Sequence, residues 1–400
     1  MSKFNRLKDC TVTNKNVIVR VDINVPIVNG KIEDDTRIKA VIPTLKYLAE
    51  NQAKVIVISH FGRPEGKVEP SMSIKHLVSR VQELLGEKIK VNFIDDSIGE
   101  KVRKAVEATG YGEVIMLENL RFYKQETKND PEFSRELASL GNLYVNDAFS
   151  CSHRAHASIT GIPAILKSCA GFLMESELDN LDNLLTNAQT PMMAVVGGAK
   201  VSTKIDLLNS LASKAQSIVV GGGMANTFLY ALGKNIGKSL CEKDLKDTAL
   251  KIIETAKNNN CKILLPEDVV VTKKLQQKGK CQILSANDVA DDDIIVDIGP
   301  LSVANLTEKL QNHKTLVWNG PLGAFEFKPF NIGTESFARV AAGLTRAQKL
   351  ISVSGGGDVV SALNSSGLID EFTYISTAGG AFLEWLEGKD LPGVAALISS

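Results

Sequence analysis

Pro191-Met-Met-Ala-Val-Val-Gly-Gly-Ala-Lys-Val-Ser-Thr-Lys204 is a short apolar run that stops at two glycines and a lysine. Met192 to Val196, bounded by a proline and a glycine, predicts a buried strand. The glycines permit a tight turn, and Lys200 to Asn209 has the spacing of a helix. This order places free backbone N–H groups and the positive end of a helix dipole just beyond a strand, which favours an anion.

Two lysines reinforce that interpretation. A helix would carry Lys200 and Lys204 on one face, where they repel each other unless an anion lies between them. A solvated lysine pair on a surface helix is the alternative. The two glycines ahead of the pair favour a phosphate site.

The composition indicates two domains and a balanced charge. A chain of 400 residues exceeds the usual size of a single hydrophobic core. Its 46 Lys and Arg equal its 46 Asp and Glu, so we expect no general affinity for nucleic acid or an anionic membrane.

Six scattered cysteines without a CxxC pair suggest reduced thiols in a cytoplasmic protein. The first residues lack the apolar core of a signal peptide. Ala215 to Gly233 carries no charge, but its glycines and polar residues predict a strand and a helix around a turn, so we expect no membrane segment.

The first half of the chain alternates strands with helices, which predicts a mostly parallel sheet covered on both faces. The predicted strands are Val17 to Val21, Val55 to Ile58, Val114 to Leu117 and Leu143 to Val145, and the predicted helices include Ile38 to Glu50 and Ile74 to Leu85. Ligands of such sheets bind beyond the carboxyl ends of the strands.

Polar and basic side chains follow each of these strands. They are Asp22 and Asn24 after the first, His60 and Arg63 after the second, Arg121 after the third and Arg154 after the fourth, with Arg37 just before the first helix. Taken singly, each is more typical of a surface or capping group. Together, four arginines and a histidine suit a small ligand with several negative charges, because guanidinium groups match carboxylates and phosphates.

The spacing His153-x-x-His156 raises a metal site as an alternative. The pattern lacks a HExxH frame, and Arg154 between the two histidines would repel a cation, so a metal is disfavoured there.

A connector separates the two halves. Gly171 to Asn187 has the spacing of one amphipathic helix, followed by a polar turn up to Pro191, where we place the domain junction. Strands then recur, and each stops at glycines. They are Ile218 to Val220 before Gly221-Gly-Gly223, Leu316 to Trp318 before Asn319-Gly-Pro-Leu-Gly323, Ile351 to Val353 before Gly355-Gly-Gly-Asp358, and Tyr374 to Ile375 before Ser376-Thr-Ala-Gly-Gly380.

A nucleotide suits these glycine turns, which leave room for a flat base and for phosphates on exposed N–H groups. Tight packing of helices on strands is the alternative. The chain has no GxGxxG, and Gly233 to Ser239 is one residue short of a Walker A loop, so a P-loop ATPase is disfavoured.

Six motifs together resemble those of phosphoglycerate kinase, in the family's order and over nearly the whole chain. They are Arg20-Val-Asp-Ile-Asn-Val-Pro26, Ser59-His-Phe-Gly-Arg-Pro64, Glu118-Asn-Leu-Arg-Phe122, Gly197-Gly-Ala-Lys-Val-Ser-Thr-Lys204, Trp318-Asn-Gly-Pro-Leu-Gly323 and Gly355-Gly-Gly-Asp358. The resemblance implies reversible phosphoryl transfer between 1,3-bisphosphoglycerate and ADP, giving 3-phosphoglycerate and ATP in glycolysis, with Mg²⁺.

The resemblance also implies a monomer of two doubly wound, Rossmann-like α/β domains joined by a hinge helix. The expected segments are a substrate domain at 1–170, the connecting helix at 171–190, a nucleotide domain at 191–385, and a C-terminal segment at 386–400 that returns to the first domain.

The resemblance assigns site residues by motif. It implies that 3-phosphoglycerate binds at Asp22, Asn24, Arg37, His60, Arg63, Arg121 and Arg154. It implies that the nucleotide binds at Gly198, Ala199, Lys204, Gly222, Gly223, Asn319, Glu326, Gly356, Gly357, Asp358 and Val359, with Asp358 serving the metal. It implies that Arg37 and Lys200 contact the phosphoryl group during its transfer.

The chemistry matches these residues, because a carboxylate nucleophile is already ionised at neutral pH and needs no general base. Acceptor and donor on separate halves must meet, so we expect closure about the connector, which also excludes water. Two positions depart from the family pattern, Val359 where threonine or serine is common and Ala378 where a third glycine is frequent.

Two other functions remain open at this point. A dinucleotide-dependent oxidoreductase shares the doubly wound fold, but it would have GxGxxG and no need of so many basic strand ends. A catalytically silent nucleotide-binding protein is the second, since fold does not guarantee activity.

Overall fold

The computed structural model describes residues 4–186, 188–376 and 378–398. Its internal contacts divide the chain into two compact units. One runs up to Asp182 and includes the chain from Asp390 onward, and the other is Asn183–Lys389. The division falls inside the helix that was predicted as the connector.

The first unit contains a six-stranded parallel sheet and a two-stranded hairpin. Its strands are β1 (Asn16–Val21), β2 (Ile27–Val28), β3 (Lys31–Ile32), β4 (Lys54–Ile58), β5 (Val91–Ile94), β6 (Val114–Leu117), β7 (Leu143–Asp147) and β8 (Ser168–Ala170). Its helices are α1 (Thr36–Glu50), α2 (Lys75–Leu85), α3 (Glu100–Ala108), α4 (Lys124–Thr127), α5 (Pro131–Ala138) and α6 (Phe172–Thr186). The sheet order is β5-β6-β4-β1-β7-β8.

Alternate side chains of β1 enter two different cores. Val17 and Val19 pack with α1 residues such as Leu45, whereas Ile18 packs with Val102 of α3 and Phe133 of α5. Helices therefore cover both faces of the sheet, which explains why its strands are apolar throughout. The predicted doubly wound α/β class is confirmed.

The second unit repeats this plan. Its strands are β9 (Met192–Val196), β10 (Ser217–Val220), β11 (Lys262–Leu264), β12 (Asp268–Thr272), β13 (Gln282–Ser285), β14 (Ile294–Ile298), β15 (Thr315–Asn319), β16 (Ile351–Gly355) and β17 (Tyr374–Ser376). Its helices are α7 (Ile205–Ala212), α8 (Gly222–Ala231), α9 (Lys246–Asn258), α10 (Pro300–Leu310), α11 (Ile332–Arg346), α12 (Gly357–Ser365) and α13 (Gly380–Leu386). The parallel sheet has the order β11-β10-β9-β15-β16-β17, and β12, β13 and β14 form a separate antiparallel sheet.

The last helix, α14 (Pro392–Ile398), belongs to the first unit. It contacts β8, and the Gly393 N–H donates to the Ser152 carbonyl at 2.9 Å. Leu397 is fully buried there.

Two local predictions need correction. The helix predicted to begin at Lys200 begins at Ile205, after a 3₁₀ turn at Val201–Thr203. The N–H and hydroxyl of Ser202 donate to the Glu242 carboxylate at 3.0 and 2.5 Å. The Ser202 N–H therefore has an acceptor without a helical hydrogen bond. Similarly, Arg37 lies inside the first turn of α1 and not before it.

One predicted segment lies partly outside the described residues. The polar turn expected after the connector includes Asn187, which the structure does not describe. In the described parts of the chain, no helix is both long enough and apolar enough to cross a membrane.

Replacing Ile56 with alanine tests the buried core of the first sheet. Ile56 is fully buried, so Ile56→Ala should lower the free energy of opening of β1 and β4 by about 2–5 kcal/mol, because it leaves a cavity. Amide hydrogen exchange measures this locally, which suits a chain with two units.

Ile165 is the matched control in the same unit, since it is 48% exposed. Ile165→Ala should change the opening free energy by no more than about 0.5 kcal/mol. Equal effects of the two substitutions would contradict the assigned core.

Candidate functional site

The chain just after β1 carries a buried carboxylate held by three groups. An Arg37 guanidinium nitrogen donates to Asp22 Oδ2 at 2.8 Å, and the Ser150 hydroxyl donates to the same oxygen at 2.5 Å. The Asn24 N–H donates to Asp22 Oδ1 at 3.1 Å. Residues from β1, α1 and the loop after β7 therefore meet at one carboxylate.

Further contacts tie this group to the loops after β4 and β6. The Gly62 N–H donates to Asn24 Oδ1 at 2.9 Å, and Arg121 Nη1 donates to the Gly62 carbonyl at 2.9 Å. The four loops at the carboxyl edge of the sheet are thus joined by direct hydrogen bonds.

Three of the four predicted arginines line one cavity of about 390 Å³. Arg63, Arg121 and Arg154 come together there with Lys124 and Lys128. A cavity with so many cations suits an anion. Arg37 lies instead at a second cavity of about 240 Å³ that Asn24 also lines.

His60 is buried, and one of its ring nitrogens contacts Arg20. Arg20 Nη2 lies 3.1 Å from His60 Nδ1. Because a guanidinium group only donates, His60 Nδ1 must accept, and the ring proton resides on Nε2. Burial, followed by the charge of Arg20, sets the pKa of His60 well below its ordinary value, so the ring is neutral.

A buried network supports Arg20. Its Nε donates to the Ser158 hydroxyl at 2.9 Å, and that hydroxyl donates to Glu126 at 2.5 Å. The Ser158 N–H donates to Glu126 at 3.0 Å. Arg20 and Glu126 are almost completely buried, and the sequence did not single out Arg20, Glu126 or Ser158 because they lie within a strand, a short helix and a buried turn.

The two histidines of the HxxH spacing have separate partners. Arg154 Nε donates to His153 Nε2 at 3.0 Å, while His156 Nδ1 lies 3.9 Å from Glu126. Burial, with Arg121 and Arg20 nearby, lowers the pKa of His156 to about 4. Among the described residues, the one group whose ligand atoms come close enough for a metal is Asp22, His60 and Cys151. Arg20 and Arg37 contact that group, which disfavours a cation there.

In the second unit, Lys204 joins the ends of the central strands. Its Nζ donates to the Gly197 carbonyl at 2.6 Å and to Asn319 Oδ1 at 2.5 Å, and Asn319 Nδ2 donates to the Gly355 carbonyl at 2.5 Å. Burial lowers the pKa of Lys204 to about 8, against the opposing charge of Asp358. Lys200, by contrast, is exposed.

Two helices begin at these strand ends with a glycine that requires positive φ. Gly222, at the start of α8, has φ of 65°, and a Cβ there would lie 2.8 Å from the Gly198 carbonyl. Gly356 precedes α12 with φ of 109°, and a Cβ there would lie 2.5 Å from the Asn319 amide nitrogen.

The Gly222 N–H donates to the Leu322 carbonyl at 2.8 Å and the Met224 N–H to the Gly198 carbonyl at 3.0 Å. The N–H groups that remain for a ligand at the carboxyl edge of the sheet are therefore that of Gly223 in α8 and those of the first turn of α12.

A cavity of about 270 Å³ lies beside these helix starts. Six of the predicted nucleotide residues line it, namely Gly198, Ala199, Gly222, Gly223, Glu326 and Asp358. The rest of the lining is largely apolar and includes Leu240, Leu275, Phe327 and residues of β14, with Asp297 as its acidic member. This apolar part of the lining could not be predicted from the sequence, because its residues are dispersed and β14 belongs to the unpredicted antiparallel sheet.

The remaining predicted residues lie outside that lining. Asn319 accepts from Lys204 and lies next to Gly356, and Gly357 is exposed. Val359 is completely buried in the core between α11, α12 and the sheet, so only its backbone N–H can face a ligand.

Asp358 has the chemistry that a Mg²⁺ site of this kind requires. Its carboxylate is exposed and lies at the cavity. Mg²⁺ is commonly held by one or two carboxylates, with substrate phosphates and water completing its octahedron. A single exposed aspartate at this cavity therefore fits.

The chain matches a sequence profile of phosphoglycerate kinase over residues 7–389. It is 52% identical over 395 residues to a phosphoglycerate kinase of Zymomonas mobilis, covering 98% of this chain and 99% of that one. The phosphoglycerate kinase of Rhodospirillum centenum is 50% identical over 394 residues, with 98% and 99% covered.

Solved structures agree. The phosphoglycerate kinase of Coxiella burnetii superposes with a TM-score of 0.90 at 40% identity, and that of Pyrococcus horikoshii with 0.84 at 32%, each covering 99% of both chains. Neither an oxidoreductase nor a silent binding protein is supported by these relatives. The chain therefore belongs to the phosphoglycerate kinase family of glycolytic phosphotransferases.

Proposed function

We propose that the first unit holds 3-phosphoglycerate or 1,3-bisphosphoglycerate and the second holds ADP or ATP. The different linings of the two cavities support this assignment. The arginine-rich cavity of the first unit suits a small polyanion. The cavity of the second unit combines a largely apolar lining with two helix starts, which suits a base and its phosphates.

The residues around Asp22 have distinct roles in this proposal. Arg63, Arg121 and Arg154 bind the phosphate at C3, because their guanidinium groups converge on one cavity. Asp22 and Asn24 accept from the substrate hydroxyl and do not act as bases. His60 donates from Nε2, since Arg20 occupies its other ring nitrogen.

The nucleotide contacts are mostly made by the main chain. Its phosphates bind N–H groups at the starts of α8 and α12, including those of Gly223, Gly357 and Val359, while Gly222 lines the cavity with its own N–H donated to the Leu322 carbonyl.

Lys204 supplies a positive charge for the phosphates, and Asn319, its hydrogen-bond partner, lies next to Gly356. The turn at Gly198 and Ala199 lines the cavity, and Glu326 contacts the nucleotide from the same lining.

We propose Asp358 as the protein ligand of Mg²⁺. When bound, the ion would neutralise charge on the nucleotide phosphates. Arg37 and the exposed Lys200 then stabilise the phosphoryl group as it passes between a carboxylate oxygen and the nucleotide. Positioning and charge neutralisation suffice, because the attacking carboxylate is already ionised.

The larger organisation is also part of the proposal. The enzyme acts as a monomer in the cytoplasm, and its free thiols are consistent with that reducing compartment. Residues 1–170 and 386–400 form the substrate domain, 191–385 form the nucleotide domain, and 171–190 act as the hinge that lets the two substrates meet.

Substituting Arg37 or Lys200 tests the catalytic roles. Arg37→Ala and Lys200→Ala should each lower kcat by about 10²- to 10³-fold with a much smaller change in KM, because their contacts strengthen as charge redistributes in the transition state. A coupled assay of 3-phosphoglycerate-dependent ADP formation measures both constants.

Lys39, two residues beyond Arg37 on α1 and exposed, is the matched control. Lys39→Ala should leave both constants within about twofold. Losses mainly in KM would show that Arg37 and Lys200 are ground-state binders, and an inactive wild-type enzyme would overturn the proposed function itself.

Substitutions at Asp358 and Val359 distinguish a side-chain contact with the metal from a main-chain contact with the nucleotide. Asp358→Asn should raise the Mg²⁺ concentration for half-maximal rate, because it removes an anionic oxygen. Val359→Thr should leave the KM for Mg-ADP within about twofold, since that side chain faces the core, and should cost about 1–3 kcal/mol of stability by burying a hydroxyl.

Rate against free Mg²⁺ and thermal unfolding distinguish these cases. An unchanged Mg²⁺ requirement in Asp358→Asn would refute the metal assignment. A markedly lower KM in Val359→Thr would show that a hydroxyl at this position reaches the nucleotide.

Nuclear magnetic resonance tests the protonation of His60. Nitrogen-15 shifts should report the Nε2–H tautomer, and the ring should stay neutral as the pH falls below 6.5. Between its lowered pKa and about 6.5, the unfolded chain binds a proton that the folded chain does not, so stability falls as the pH is lowered. Arg20→Gln should raise the pKa of His60. An Nδ1–H signal in the wild type would contradict the assigned contact.

A further inference from the structure

Asp297 is a buried carboxylate in the second unit, and both of its oxygens accept hydrogen bonds. It lies on β14 and is 3% exposed. Its Oδ2 accepts from the Gly333 N–H at 2.7 Å, and its Oδ1 accepts from the Ile298 N–H at 2.9 Å. The two donors belong to different elements, the first turn of α11 and β14 itself, so the carboxylate joins that helix to the antiparallel sheet.

The bond to Gly333 takes the place of a helix cap. Asn331, the N-cap residue of α11, makes no capping hydrogen bond with its side chain. Asp297 therefore satisfies one of the N–H groups that a helix start leaves free. A Cβ on Gly333 would lie 2.5 Å from Asp297 Oδ1, so the helix start and the carboxylate are in direct contact.

The same carboxylate packs against the chain that lines the nucleotide cavity. Gly323 approaches Asp297 so closely that a Cβ would overlap Oδ1. The register of β14 on β12 shifts between Asp297 and Ile295, and the carbonyl of Val296 between them accepts from the Ala324 N–H at 2.7 Å. Asp297, Gly323 and Ala324 all line the cavity, so β14 supports this part of its wall.

Hydrogen bonds continue from the start of α11 to the start of α8. Thr334 follows Gly333 and is 1% exposed, and its hydroxyl accepts from the Leu322 N–H at 3.0 Å. The Leu322 carbonyl accepts from the Gly222 N–H at 2.8 Å. The positions of Leu322 and of the first turn of α8 therefore depend on the position of α11.

We propose that Asp297 is a positioning residue for the nucleotide, which fixes Gly323 directly and the start of α8 through α11 and Leu322. The inference rests on the proposed placement of ADP or ATP in the second unit. Without the carboxylate, the cavity wall can shift in the free enzyme, and nucleotide binding must restore it. Because this ordering costs free energy on binding, affinity for the nucleotide falls while the reacting groups are unchanged.

Asp297→Asn tests the proposal, because an amide has one acceptor oxygen where the carboxylate has two, and one of the two N–H groups loses its partner. Burial raises the pKa of Asp297 to about 7, so assays at pH 8 compare an ionised carboxylate with an amide. The KM for Mg-ATP should rise about five- to twentyfold. The KM for 3-phosphoglycerate and kcat should stay within about threefold.

Asp268 on the adjacent strand β12 is the matched control. It is also buried, and its carboxylate accepts from the N–H groups of Leu301 and Ser302 at the start of α10. The described residues that line the nucleotide cavity do not include it. Asp268→Asn should lower the unfolding temperature, as Asp297→Asn does, but should leave the KM for Mg-ATP within about twofold.

Thr334 gives a second test that leaves the carboxylate in place, and it decides the matter if Asp297→Asn does not fold. Thr334→Val removes the hydroxyl that accepts from Leu322 and should raise the KM for Mg-ATP about three- to tenfold, whereas Thr334→Ser keeps a hydroxyl and should stay within about twofold of the wild type.

The proposal fails if an active Asp297→Asn enzyme has the same KM for Mg-ATP as Asp268→Asn, or if Thr334→Val and Thr334→Ser do not differ. Either result would leave the proposed function intact. A rise only in the KM for 3-phosphoglycerate would overturn the inference together with the placement of the nucleotide in the second unit.

Discussion

The position of the first strand in each parallel sheet governs where the chemistry can lie. β1 lies between β4 and β7, and β9 lies between β10 and β15, so the connections after each central strand diverge and leave a crevice at the carboxyl edge. The contact of Ser150 with Asp22 spans 128 residues of sequence, and that of Lys204 with Asn319 spans 115. Both depend on strands that are neighbours in the sheet although they are distant in the chain.

Buried charge then fixes the details of the first site. Arg20 is removed from water, which costs several kcal/mol unless the ion is well paired, and burial raises the pKa of Glu126 against the opposing charge of Arg20. An apolar pair of similar volume would often be as stable or more stable. Here the charged network supplies what an apolar pair would not, a donor aimed at His60 Nδ1 and a fixed orientation of the turn at Ser158. Its role is to position the ring.

Features that arise from a single strand could be predicted from the sequence. Features that depend on contacts with distant segments could not. Asp22, His60 and Arg121 were predictable because each follows an apolar run, and the carboxyl ends of parallel strands meet at one edge of the sheet. The start of α7 was not, since Glu242 binds Ser202, and Lys200 is extended while Lys204 also lies outside the helical region. Arg20 was hidden because a basic residue inside an apolar strand has no pattern that reveals a buried partner.

The neutrality of His60 bears directly on the reaction. With Nδ1 accepting from Arg20 and a pKa held well below the ordinary value, the ring has no free basic nitrogen and can only donate from Nε2. An enzyme that transfers a phosphoryl group to a hydroxyl would need a base at such a position. Transfer to a carboxylate does not, because the nucleophile carries its charge already. The arrangement therefore fits an acceptor that must be held and neutralised by arginines but never deprotonated, and the same burial that removes basicity from His60 makes the ring a rigid donor.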